Sequence, residues 1–99
     1  MALPIEVDHE VIAEFCRRND IARLSFFGSV LRDDFTPESD IDVLVEYLPG
    51  ATVGLFAMAR MEQELSDMFA RKVDLKTAGF LSRYFRDEVL AEAMEEYVA

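Results

Sequence analysis

Apolar residues recur along the chain with two different periods, and the switches between them mark the elements. Asp8 is placed to cap a helix in which Val11, Ile12, Phe15 and Cys16 fall at helical spacing. Arg17 and Arg18 close that helix and Asn19-Asp20 reads as its stop. "IARLSFFG" then reads as a strand that enters a turn at Gly28. Ser29 to Asp33 suits a short helical turn, and "FTPES" a loop broken by Pro37. "DIDVLVEY" is the clearest strand in the chain. From Thr52 onward, Leu55, Met58, Ala59, Leu65, Met68 and Phe69 predict a long amphipathic helix. In "RKVDLKT" a short third strand puts Val73 and Leu75 on one face, Asp74 and Lys76 on the other. A last helix is expected from about Gly79, with Leu81, Phe85, Val89 and Ala93 inward. Glu88, Glu92, Glu95 and Glu96 would form its wet face.

This order of elements predicts an α/β (α+β) fold: a small mixed sheet of three strands or slightly more, packed by helices. The short link between the first two strands favours an antiparallel or mixed sheet over a purely parallel one. Ninety-nine residues suit one domain spanning 1–99. The lone Cys16 excludes an internal disulfide, and no Cys/His zinc spacing occurs. The N-terminus lacks the pattern of a secretory signal, and no apolar run approaches the ~20 residues of a membrane helix. A cytoplasmic protein away from membranes is the expectation. The formal charge of −10 argues against direct nucleic-acid binding, which draws on lysine and arginine. An acidic chain can still take a nucleotide when divalent cations bridge the two.

The chemistry gathers in "GSVLRDDFTPESDID", Gly28 to Asp42. Residues two apart on a strand share a face, so Asp40 and Asp42 project together while Ile41, Val43 and Val45 turn to the core. Two carboxylates so close repel unless a cation relieves them, and magnesium takes carboxylate and phosphate oxygens together. Asp74 on the third strand is placed to be a third ligand, so that two ions could clamp a displacement at phosphorus. Gly28 lets backbone approach a phosphate, and Ser29 offers a hydroxyl and nearby N–H groups. Arg32, one turn on, can reach a phosphate or pair with Asp34 or Asp40. Taken singly, each feature has a plainer reading as a turn, a cap or a salt bridge. Their joint occurrence in a strand–turn–loop–strand context is what points to a site. His9 reads as a surface residue, and Met58, Met61 and Met68 as core filler.

Gly28-Ser29, ten residues and Asp40-Ile41-Asp42 resemble the signature of the DNA polymerase β-like nucleotidyltransferase superfamily. "FGSVLRDDFTPESDIDVLVEY" resembles its minimal nucleotidyltransferase (MNT) branch at Phe27, Gly28, Ser29, Arg32, Asp34, Ser39, Asp40, Ile41 and Asp42. "KVDLKT" is similar to the segment that carries the third carboxylate, here Asp74, and "FRDEVLAEAMEEYV" to the C-terminal helix. Asp33 stands where many relatives have glycine, and aspartate tolerates a positive φ better than most residues. Lys76 shares a face with Asp74 and could neutralise phosphate or, the favoured reading, balance the carboxylates.

The resemblance implies the polymerase β-like fold, two Mg²⁺ ions on Asp40, Asp42 and Asp74, and ATP as substrate. Gly28, Ser29, Arg32 and Ser39 would bind the nucleotide. It also implies an antitoxin that transfers AMP to a tyrosine of a HEPN-family ribonuclease toxin. Tyr47, Tyr84 and Tyr97 then need no catalytic part. Two other readings stay open: an antitoxin that inhibits by contact alone, and a transferase acting on a small molecule. Tyr97 and Val98 are candidates for an exposed partner surface on the last helix.

Overall fold

The computed structural model describes residues 5–32, 35–36, 38–77 and 86–99. Asp33, Asp34, Pro37 and the expected start of the last helix, with Leu81, Tyr84 and Phe85, lie outside the described residues. Helix α1 (His9–Arg18) begins where the Asp8 carboxylate accepts from the Glu10 and Val11 amides, and it buries Ile12, Ala13, Phe15 and Cys16. Strand β1 (Ile21–Phe27) leads into a 3₁₀ turn at Gly28–Leu31, shorter than the expected Ser29–Asp33 turn. Strand β2 (Ile41–Tyr47) follows the loop. Helix α2 (Leu55–Phe69) starts three residues later than Thr52, at a Gly54 cap, and buries Met61 and Leu65. Strand β3 is Val73–Thr77.

The sheet order is β3-β2-β1-β4, with β2 and β3 parallel and the other pairs antiparallel. It is therefore mixed, as its short first connection predicts, and it has four strands. The α2 crossover supplies the long link that parallel strands need. Phe15, Phe26, Leu24, Ile41, Val43, Val45, Leu65 and Val73 fill the main core on one face. Leu55 is 77% exposed and Phe56 87%, so the helix does not turn its first apolar residues inward as the periodicity from Thr52 suggests.

The C-terminus corrects the sequence reading. Helix α3 ends after Arg86–Glu92, and Met94–Val98 is strand β4, paired antiparallel with β1. Helical spacing fits Glu92 to Glu96 as well as it does the rest, but β1 would otherwise offer an unpaired edge. Tyr97 sits opposite Leu24 and packs on the main core, while Glu95 meets Arg23 at 3.1 Å and Glu96 meets His9 at 3.4 Å. Tertiary pairing overrides local periodicity here. Tyr97 is thus a half-buried strand residue, whereas Val98 remains exposed.

Candidate active site

The far edge of the sheet, β3, is held by α2 rather than left open. The Val73 amide donates to Ser66 Oγ at 3.0 Å and the Leu75 amide to Glu62 Oε2 at 2.8 Å. Glu62 and Ser66, one helical turn apart, thus satisfy alternate outward amides of the edge strand. Val73 and Leu75 point into the core, which turns Asp74 and Lys76 to the opposite face. In the parallel register Asp42 lies beside Asp74, and Leu44 beside Lys76. Asp42 in turn faces Phe27 on β1, one residue before the glycine.

Gly28 has φ +75, in the left-handed region, and a Cβ built there falls on the Asp42 carboxylate, 3.1 Å from its Cγ. Glycine is needed twice over, for backbone shape and for room. Ser29 Oγ donates to the Asp40 carbonyl at 3.4 Å, tying the turn to the start of β2. The Arg32 amide donates to the Ser29 carbonyl at 2.9 Å and closes the turn. Ser39 serves its own loop: its Oγ accepts from the Thr36 amide at 3.0 Å. The Asp40 carboxylate lies 3.8 Å from Lys72 Nζ, a pairing that sequence reasoning missed because it depends on the parallel register of β2 and β3.

Burial pushes the Asp42 carboxyl above its ordinary value of 3.8, and the negative charges of Asp74 and Asp40 push it the same way. Lys76 and Arg32 pull it back only in part. Asp40, Asp42, Asp74, Arg32 and Lys76 are therefore within electrostatic reach of one point. Among the described residues no three Asp, Glu, His or Cys side chains converge closely enough to enclose a cation as they stand. The donor set nevertheless suits magnesium: hard carboxylate oxygens on one face, short of positive charge, with room for waters and phosphate. Asp40, Asp42 and Asp74 are the residues that would hold it.

The face bearing Asp42 opens into a cleft whose other wall is α3. Val89 and Ala93 pack on Phe27 and Leu44 in a small second core, which fixes the helix. Glu88 and Glu92, on the adjoining helix face, line the cleft with Gly28, Arg32 and Asp42. The sequence reading places them simply on a wet face; their i, i+4 spacing is the one signal that they share a side of the helix. No helix among the described residues is long and apolar enough to cross a membrane.

Residues 9–99 match the family model described as a nucleotidyltransferase domain. A Methanocaldococcus jannaschii protein provisionally named a protein adenylyltransferase is 32% identical over 78 residues, which span 79% of this chain and 82% of that protein. A solved structure provisionally described as a minimal nucleotidyltransferase is 32% identical, with a TM-score of 0.72 over 87% of this chain and 86% of the other. A toxin–antitoxin crystal structure with AMP-PNP gives a TM-score of 0.75 at 21% identity, over 94% of this chain and 75% of that one. A complex of the tri-AMPylated Shewanella oneidensis HEPN toxin with its MNT antitoxin gives 0.66 at 20% identity, over 92% and 70%. At that identity these two complexes speak for the fold. Matched from its first helix to its last strand, and carrying glycine and paired aspartates where the fold brings them together, this chain belongs to the nucleotidyltransferase domain family.

Proposed function

We propose that the chain is a Mg²⁺-dependent adenylyltransferase and the antitoxin of a pair, transferring AMP from ATP to a tyrosine of a HEPN-family toxin. The observation that carries this reading is the register of Asp42 beside Asp74 with Gly28 pressed against Asp42. The family assignment and the AMPylated toxin among its structural neighbours support it. In this reading Asp40, Asp42 and Asp74 hold the magnesium, which supplies neutralisation of the triphosphate and of the charge that develops in transfer. Gly28 and Ser29 bring backbone N–H groups to the phosphates, and Arg32 offers its guanidinium. Ser39 keeps the loop before β2 in shape. The tyrosine oxygen bonds to the α-phosphorus as the α–β bridging bond breaks, and pyrophosphate leaves with that electron pair. Asp74 accepts the phenolic proton.

The test is to mix the protein with a purified HEPN-family toxin, taken from the adjacent open reading frame if that encodes a small helical protein, together with ATP and Mg²⁺, and weigh the partner intact. Addition of one or more AMP units, absent with Asp42→Asn, is expected. An unmodified but silenced partner in a stable complex would replace this reading with inhibition by contact.

A further inference from the structure

The sheet face that carries Asp42 also holds a second cavity, of about 280 Å³, and α3 stands between the two. The helix turns Leu90 and Ala93 to this cavity, and Glu88 and Glu92 to the cleft at Asp42. Its floor is set by register: Ser25 lies opposite Leu44 and Arg23 opposite Glu46, with Glu95 of β4 beside Ser25. None of the aspartates assigned to magnesium lines it. Ser25 is the only buried polar residue among the described ones, at 3% exposure, and none of them hydrogen-bonds its hydroxyl. A hydroxyl buried without a partner is costly, so one facing a cavity points to a ligand group that meets it. Arg23 Nε stands 3.1 Å from Glu95 and 3.4 Å from Glu46. Two carboxylates against one guanidinium leave an excess negative charge. The rest of the lining is apolar, and Leu90 there is 43% exposed.

We infer that this cavity seats a lysine side chain of a protein partner, its stem along Leu44, Leu90 and Ala93 and its ammonium among Ser25 Oγ, Glu46 and Glu95. An ammonium has three donors and no acceptor, and the cavity offers one hydroxyl oxygen and two carboxylates to receive them. Its charge balances the carboxylate that Arg23 leaves over, while its stem covers the exposed apolar wall. A cavity just under the roughly 300 Å³ at which small-molecule pockets begin suits one long side chain better than a nucleotide. A free diamine fits less well, because its second charge would fall on the apolar end. The formal charge of −10 steers a basic protein surface toward this one.

Titrating the ¹⁵N-labelled whole protein with Nα-acetyl-lysine methylamide, followed by amide chemical shifts, tests this. A Kd on the order of 1 mM is expected, with the largest shifts at Ser25, Leu44, Leu90 and Glu95. Nα-acetyl-norleucine methylamide has a similar stem without the ammonium and should bind about tenfold more weakly. Ser25→Ala should weaken the lysine probe about fivefold, yet raise the Tm of the free protein by about 4 °C as an unpaired hydroxyl leaves the interior. A serine with a merely structural role would lower the Tm instead. Shifts absent at these residues, equal affinity for the norleucine probe, or a lower Tm in Ser25→Ala would overturn the site. Tighter binding of 1,4-diaminobutane than of the lysine probe would overturn the partner side chain in favour of a free polyamine.

Discussion

Asp42→Asn should make the protein more stable and inactive. Asp42 and Asp74 are register partners on adjacent parallel strands, whose backbones lie about 4.8 Å apart, so their carboxylates sit roughly 5–6 Å apart. Two unit charges at that distance repel by about 0.8 kcal/mol in water and about 3 kcal/mol at an effective dielectric of 20. Both residues are half-exposed, so the lower end applies; burial of the Asp42 carboxylate adds to it and Lys76 and Arg32 offset part, which leaves about 1 kcal/mol. For a domain of this size that corresponds to a rise in Tm of about 4–8 °C at neutral pH.

The pH dependence separates this cause from generic packing. The Asp42 carboxyl titrates above its ordinary value in the fold. Its contribution to stability is therefore fully present below that ordinary value and is lost as pH rises through the raised one. The variant has no such loss. Scanning fluorimetry of both proteins should show nearly equal Tm near pH 3.5, with the gap opening in the variant's favour as pH rises from about 4 toward neutrality. Mg²⁺ should raise the Tm of the parent protein more than that of the variant. A variant less stable than the parent at pH 7, or a gap that does not change with pH, would refute the argument that the carboxylates strain the fold.

Three further outcomes test the scaffold around the site. Gly28→Ala forces a side chain into left-handed backbone and onto Asp42, so it should cost about 1–2 kcal/mol in thermal unfolding and abolish Mg²⁺-dependent tripolyphosphate binding. Retained binding would show that Gly28 is only a turn residue. Glu62→Ala leaves the Leu75 amide without its acceptor, costing about 1–3 kcal/mol and speeding hydrogen exchange at Leu75, while Glu62→Gln recovers most of the protection. Unchanged exchange in the alanine variant would mean that water caps the β3 edge equally well. Ala70 closes α2 at φ 53, so Ala70→Gly should raise stability by about 0.5–1 kcal/mol, and a lower Tm would count against strain at that cap.

How far the sequence discloses this site depends on whether each feature is local. The Asp8 cap, the Asn19 stop, and the strands at Ile41–Tyr47 and Val73–Thr77 are written in neighbouring residues, and they form where the periods change. Alternation alone sets Asp42 and Asp74 on the polar side of their strands. The parallel register that makes them neighbours is not local, and depends on α2 delivering β3 and bonding its edge through Glu62 and Ser66. The C-terminus shows the opposite case. Glu92 to Glu96 fit a helix by spacing, yet β1 needs a partner on its open side, and β4 supplies it. That change of element does more than correct a boundary. By stopping α3 at Glu92, it sets a short helix, pinned by Val89 and Ala93, across the cleft from Gly28 and Asp42. A helix carried on through Glu96 would leave the β1 edge unpaired and give α3 no strand to tether its C-terminal end. The strand that the periodicity conceals is thus what gives the carboxylate site its second wall.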